Sequence, residues 1–492
     1  MEITISKTKC FCGIFGISNN KSASTMTYYG LHALQHRGQE ASGIVTHDIE
    51  NNKDVFKVIK GEGLVSEVFD DFDFWKPQLT GNAAIGHNRY STTGSSNSRK
   101  NIQPFLVNYH SGNLAVAHNG NLTNDKKLRD WLVSEGSIFQ TTSDTEVILH
   151  LIAKSKEKDQ REQVIEALNF LEGAFSVVIL TDKYLVAARD KSGFRPLCLG
   201  RLEGTFVVAS ETCAFDIISA EYIRDIDPGE VVFIPLSEES AELEVRHLNG
   251  KTAGKKQCIF EYIYFSRPDS MIFGHNVDKV RRRLGKILAR NFPVIPKEKD
   301  DKVIVISVPD SSNTAALGYA RELEKQGINA KFEIGLLRSH YIGRTFIEPG
   351  QENRELRVKI KFNPVKGVLK DKIVVVVDDS IVRGTTSRQL INLIREAKPK
   401  EIHLRISSPP IMHSCFYGMD FPSREELIAY TMDGNVDKIR DYIGVDSLSY
   451  LDISHLYESV KEDSPEDYCT ACFSGDYPVK VDFNFSKDQY EI

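Results

Sequence analysis

The stretch VVVVDDSIVRGTTS, residues 374–387, decides the reading of the second half of this 492-residue chain. Four β-branched residues in a row predict a strand buried on both faces, as in a parallel sheet. The paired carboxylates Asp378 and Asp379, followed by Arg383, Gly384, Thr385 and Thr386, predict a polar loop at its carboxyl end. Gly384 lets the backbone approach a phosphate. The hydroxyls of Ser380, Thr385, Thr386 and Ser387 can donate to its oxygens, and a helix starting there turns its positive end toward them. Asp378 and Asp379 suit another partner: they can accept from ribose hydroxyls and hold Mg2+ beside a pyrophosphate. A phosphorylated sugar with a diphosphate leaving group fits all these parts.

Around this segment, the apolar runs VIVISV (303–308), KIVVVV (372–377) and IHLRIS (402–407) alternate with helical patterns, which predicts a parallel sheet with crossover helices. Ligand loops should gather at the carboxyl ends of its strands. From Cys12 to about Arg246 the pattern changes to short strands with Gly and Asn turns, such as AAIGH (83–87), NLAVAHNGNL (113–122) and FSVVILTD (175–182), plus a helix near 145–156. LNGKTAGKKQ (248–257) reads as the linker. The run Arg281–Arg283 reads mostly as a solvated helix face. Beyond about Tyr457 the chain turns acidic and less regular.

The length suggests two or three domains. A net charge of −6 gives no basic footprint for nucleic acid, and no apolar run approaches the roughly 20 residues of a membrane span. The first eleven residues, MEITISKTKCF, resemble neither a secretory signal nor a transit peptide, so a cytoplasmic location is expected.

Cys12 opens CGIFGI. With residues 1–11 removed it would carry a free α-amino group of pKa about 7.7–8.0, a usable base for its own thiol. Cys258, Cys415 and the CxxC pair Cys469 and Cys472 could be buried thiols or a four-thiolate metal site, for which zinc is the ordinary intracellular choice. Cys198 and Cys213 are expected in core or loop.

Four further segments, QHRGQEASGI (35–44), GHNRYSTTGSS (86–96), HNGNLTN (118–124) and SDTE (143–146), resemble the glutamine amidotransferase domain of the amino-terminal-nucleophile class. That resemblance implies Cys12 as nucleophile, Arg89 on the glutamine carboxylate, Asn119 and Gly120 as the oxyanion hole, and Asp144 on the α-ammonium. Each pairing is chemically apt. Residues 374–387 resemble the 5-phosphoribosyl 1-diphosphate (PRPP) motif of type I phosphoribosyltransferases. Together with DKSGFRPL (190–197), ASET (209–212), FEYIYFSRPDS (260–270), VPDSS (308–312) and YIGRTFI (341–347), nearly the whole chain resembles the amidophosphoribosyltransferase family. Asn88 stands where an apolar residue or Thr is more usual.

The resemblance implies an α/β protein: an α+β amino-terminal-nucleophile glutaminase of αββα layers (12–247), then a type I phosphoribosyltransferase parallel-sheet domain (258–460), with a leader (1–11) and a carboxyl-terminal tail (461–492). Asp378, Asp379, Ser380, Arg383, Gly384, Thr385, Thr386 and Ser387 would bind PRPP, with Arg344 and Lys361 of the charged segment 341–361 reaching the diphosphate. Ser311, Asp378 and Asp379 would hold Mg2+. The contexts CIFEYIYF, HSCFYGMD and YCTACFSGDYP resemble the segments that carry a [4Fe-4S] cluster in part of the family, implying that cofactor on Cys258, Cys415, Cys469 and Cys472. Purine-nucleotide inhibitors and a homotetramer follow from the same likeness. The implied activity is glutamine-dependent transfer of ammonia to PRPP, giving 5-phosphoribosylamine, at the entry to purine synthesis. Another amidotransferase of the same glutaminase class, or a PRPP-sensing regulator, are the alternatives.

Overall fold

A computed structural model describes residues 12–89, 99–237, 242–250, 254–298, 300–339 and 359–481. In the amino-terminal half two antiparallel sheets stack face to face. The first runs, edge to edge, Glu221–Asp225, Cys198–Leu202, Thr205–Ala209, Gly13–Ile17, Ala83–Arg89, Ala41–Glu50, Lys53–Glu62. The second runs Glu244–His247, Glu230–Pro235, Tyr184–Arg189, Gly173–Thr181, Gly112–Leu122, Phe105–Tyr109.

Alternation along the strands produces the layers. Ile14 faces the second sheet with Ile85, Ala117 and Val178, while Phe15 and Ile17 face the opposite way, onto helix Ala23–Ala33. Val116, Val177 and Ile179 point to the far side, under helices Asp125–Ser134, Thr145–Lys154 and Gln160–Asn169. The sheets approach closely at Gly16, where a Cβ would lie 2.8 Å from Val178 Cγ1. The result is the expected αββα sandwich.

The carboxyl-terminal half is built on a five-stranded, all-parallel sheet in the order Ala330–Phe332, Val303–Ser307, Ile373–Asp378, Glu401–Ile406, Ser447–Tyr450. Both faces of its central strand are buried. Val374 and Val376 belong to the core under helices Thr385–Arg395 and Val436–Ile443. Ile373, Val375 and Val377 belong to the core under Val277–Asn291 and Asn313–Lys325.

One expectation needs correction. Arg281 is buried, not solvated: its Nε donates to Tyr262 O at 2.6 Å and its Nη2 to Ser266 O at 2.8 Å. Only Arg282, paired with Asp278 at 2.6 Å, and Arg283 face outward. Beyond Val460 the described carboxyl-terminal residues are less regular, as expected, with only short elements. Helix Ile453–Val460 leads to strand Tyr468–Cys469, which pairs in parallel with Gln257–Cys258 at the end of the linker. Phe194 of the glutaminase half stacks on Tyr417 of the other half, centroids 4.3 Å apart, closing the junction between them.

Candidate active sites

Strand Gly13–Ile17 pairs with Ala83–Arg89, placing Gly13 opposite Asn88 and setting Cys12 beside Arg89. Cys12 is buried, and burial pushes its thiol up to about 12, with Arg89 drawing it down and Asp144 pushing it up. Arg89 and Asp144 therefore lie near enough to Cys12 for their charges to act on its thiol. A neutral thiol there needs a base at hand.

Asn119 and Gly120 lie on strand Gly112–Leu122. Both side-chain polar atoms of Asn119 are buried without a hydrogen-bond partner among the described residues. Such an orphaned amide is costly in a core and suits a donor kept for a ligand. A Cβ at position 120 would lie 2.0 Å from Ala174 O, so only glycine fits. Burial raises the Asp144 carboxyl, but His118 and the N–H of Leu122 outweigh it and hold it below the usual carboxylate range. Gln103 links both elements: its Oε1 accepts from His118 N at 2.8 Å and its Nε2 donates to Thr145 Oγ1 at 3.0 Å. Asn88 is fully absorbed, donating to Leu31 O at 2.7 Å and accepting from Ser42 Oγ at 3.0 Å.

The second site lies at the carboxyl end of strand Ile373–Asp378. Because Val303–Ser307 is its parallel neighbour, the VPDSS loop ends beside the paired acids. Ser311 Oγ donates to Asp379, Ser312 Oγ to Asp378 Oδ1 at 3.2 Å, and Ser380 Oγ to Asp379 Oδ1 at 2.7 Å. Gly384 has φ +73°, and a Cβ there would meet Ile428 Cδ1 at 2.4 Å. It stands at the N-cap of helix Thr385–Arg395, whose first turn holds Thr385, Thr386 and Ser387. Arg383 is engaged with Glu426, Nε to Oε2 at 2.8 Å. Lys361 sits at the foot of the charged segment, where its carbonyl accepts from Ser339 N at 2.9 Å. Arg344 and residues 1–11 lie outside the described residues.

The cysteines meet at a third place. Cys258 and Cys469 face each other across the parallel bridge. The thiols of Cys258, Cys469 and Cys472 are raised first by burial; Cys472 also feels the other three, Cys469 feels Cys258 and Cys415, and Cys258 feels Cys415. None of the four is in a disulfide. Among the described residues no three His, Cys, Asp or Glu side chains are grouped closely enough to hold one metal ion. Cys198 and Cys213 are buried in the glutaminase core, as expected.

Sequence reading did not assign roles to Gln103, His118, Arg37, Glu211 or Glu261. Most lie inside segments that carry the family likeness, which was the available signal.

An αββα amidotransferase sandwich joined to a doubly covered parallel sheet with a PRPP-type loop defines a glutamine amidotransferase fused to a phosphoribosyltransferase. Residues 87–216 match the glutamine amidotransferase domain family. The chain is 52% identical to Amidophosphoribosyltransferase 2, chloroplastic, of Arabidopsis thaliana, over 95% of this chain and 79% of that one. It is 46% identical to the amidophosphoribosyltransferase of Bacillus subtilis, over 96% and 94%. A solved structure of the B. subtilis glutamine PRPP amidotransferase, complexed with ADP and GMP, superposes with a TM-score of 0.87 at 44% identity, covering 96% of this chain and 99% of that one. The chain belongs to the amidophosphoribosyltransferase family, enzymes of the first committed step of purine biosynthesis. Neither alternative raised above finds support. Among the described residues no helix is long and apolar enough to cross a membrane.

Proposed function

We propose that Cys12, made amino-terminal by loss of residues 1–11, releases ammonia from glutamine for attack on PRPP bound at the second site. The observation that carries this reading is the nearness of Arg89 and Asp144 to Cys12, together with a buried Asn119 amide that has no partner among the described residues. Arg89 binds the glutamine carboxylate and Asp144 its ammonium. The Cys12 thiol passes its proton to the α-amine as sulfur attacks the side-chain amide carbon. Asn119 Nδ2 and Gly120 N hold the resulting oxyanion. Collapse breaks the C–N bond, the proton returns to the departing nitrogen as ammonia leaves, and water hydrolyses the thioester to glutamate.

At the second site the hydroxyls of Ser380, Thr385, Thr386 and Ser387, with the backbone at Gly384, hold the 5-phosphate, and Asp378 and Asp379 accept from the ribose hydroxyls. The ammonia lone pair forms the bond to C1 as the C1–O bond breaks and the diphosphate leaves with its electron pair. The protein's part is to position the reactants and exclude water. Ser311, Asp378 and Asp379 would hold Mg2+, which neutralises diphosphate charge when bound. Arg344 and Lys361 are assigned to the diphosphate.

Cys258, Cys415, Cys469 and Cys472 are assigned to a [4Fe-4S] cluster. What supports the cluster over zinc is the likeness of the three segments that carry these cysteines, with the burial of Cys258, Cys469 and Cys472 and the mutual electrostatic influence of the thiols. Purine nucleotides as inhibitors, a homotetramer and a cytoplasmic location complete the reading; the relative solved with ADP and GMP supports the first.

The test is Cys12→Ala. It should abolish glutamine-dependent synthesis while free ammonia still supports phosphoribosylamine formation. Retained glutamine use, or active enzyme whose amino-terminal residue is Met1, overturns the proposal.

A further inference from the structure

Asn121 follows the pair assigned to the oxyanion on strand Gly112–Leu122 and, two residues beyond Asn119, shares its face. Its side chain is buried, and it reaches out of the glutaminase half: Nδ2 donates to the carbonyl oxygen of Phe416, in the transferase half, at 3.0 Å. Close by, Gly418 lies against Gly120. A Cβ at position 418 would come within 3.3 Å of the Gly120 carbonyl carbon and 3.1 Å of Arg195 Nη2, and its φ of +98° suits glycine alone. The backbone of one half therefore packs directly on the backbone of the other.

Segment 416–419 is itself held from both halves. Arg195 Nε donates to the Tyr417 carbonyl at 3.1 Å. The carbonyl of Arg195 in turn accepts from Ser176 Oγ at 3.1 Å, and Ser176 is the cross-strand partner of Asn119. The Tyr417 ring stacks on Phe194, and its hydroxyl donates to Val479 O at 2.5 Å and accepts from Val479 N at 3.0 Å. Phe416 O is thus a fixed acceptor rather than a point on a loose loop.

We propose that Asn121 is a positioning residue for the oxyanion donors, anchored by the Phe416 carbonyl, and that Gly418 backs Gly120 from the transferase half. The proposal rests on the assignment of Asn119 and Gly120 above. An oxyanion donor works by standing in its place before charge develops, so its worth depends on how little its strand can move. Pairing with Gly173–Thr181 fixes that strand along one edge. Asn121 fixes its end, because parting a buried donor from its acceptor is costly. A small displacement of Gly120 N is felt in the transition state and hardly by bound glutamine, which Arg89 and Asp144 grip at its other end. The effect therefore falls on kcat rather than on KM.

The experiment uses the full-length enzyme with Asn121→Ala, and with the isosteric Asn121→Asp, which turns a carboxylate toward the Phe416 carbonyl. Glutaminase kcat, with PRPP present, should fall roughly tenfold in the first and further in the second. The KM for glutamine and the rate of synthesis from free ammonia should stay within about twofold. L-Glutamate γ-semialdehyde probes the hole itself: the Cys12 sulfur adds to the aldehyde carbon as the C=O electron pair moves to oxygen, so its inhibition constant should rise roughly tenfold with kcat. Gly418→Ala, which sets a methyl group against Gly120 and leaves Asn121 alone, should reproduce the kcat loss and decides the matter should neither Asn121 variant fold. Unchanged kcat in folded Asn121→Ala overturns the proposal, as does Asn121→Asp more active than Asn121→Ala, the mark of a side chain that only fills space. A parallel loss of glutamine- and ammonia-dependent rates overturns it as well, since that is what a merely structural role would give. Asn119→Ala is measured alongside: if it too leaves the semialdehyde constant unchanged, the oxyanion assignment itself falls and the proposal with it.

Discussion

The N–H of Leu122 donates to Asp144 Oδ2 at 3.0 Å, tying the end of the strand that carries Asn119 and Gly120 to the acid at the head of helix Thr145–Lys154. His118, on the same strand, approaches the other oxygen of Asp144 at 3.6 Å. One strand therefore sets both the residues proposed as oxyanion donors and the acid assigned to the ammonium. On that proposal, the spacing between the two ends of bound glutamine is built into it.

Asp144→Asn keeps an acceptor for Leu122 but loses the charge. The KM for glutamine should rise on the order of 10–100-fold, the worth of a hydrogen bond to a charged group at about 1.5–3 kcal/mol. Steady-state glutaminase kinetics check this. An unchanged KM would place the ammonium elsewhere.

Asn119→Ala removes an amide that has no partner among the described residues, so thermal stability should hold while glutaminase kcat drops about 10²–10³-fold. Ammonia-dependent synthesis should be untouched. A large fall in melting temperature without that kinetic loss would make Asn119 a structural residue.

Cys469→Ser should yield colourless protein with a lowered unfolding midpoint, because metal binding is linked to folding and Cys469 sits on the bridge to Cys258. Iron and sulfide analysis of the unaltered enzyme should find both. Stoichiometric zinc without a brown chromophore contradicts the assignment.

Acid should loosen the junction between the halves. Burial opposes ionisation of Glu211 and Glu261, yet His36 and Arg37 beside Glu211, and Arg37 and Arg195 beside Glu261, hold both carboxyls below their usual range. Stability from a depressed carboxyl is complete above its unfolded pKa of about 4.3 and is lost as pH falls toward the folded value. The gap in unfolding midpoint between unaltered enzyme and Glu211→Gln should be widest near neutrality, where breaking a buried pair costs about 3–5 kcal/mol, and should narrow below about pH 4. A gap independent of pH would mean Glu211 is protonated in the native state.

Much of both sites was legible because their chemistry is contiguous. Asp378 through Ser387 form one strand, one turn and one helix start, so spacing alone conveys the loop. Asn119, Gly120 and Asp144 sit in short motifs whose likeness is specific. The pairing of Arg37 with Glu211 and Glu261 was not legible, since these partners lie 174 and 224 residues away and a lone charge in sequence looks solvated. Arg281 was misread for a related reason: three consecutive arginines suggest an exposed face, yet Arg281 falls next to Val280 on the buried side, where the carbonyls of Tyr262 and Ser266 await it.

The parallel pairing of Gln257–Cys258 with Tyr468–Cys469 has a consequence for how the polypeptide is made. The glutaminase sandwich closes on itself within the first half of the chain and can fold as soon as that half has left the ribosome. The partner of Cys258 arrives only near the end of translation, so the thiols must wait for almost the whole message to be read. Premature termination would release a sound glutaminase attached to a transferase with no final strand to latch it, and such products should be the ones that proteases find first.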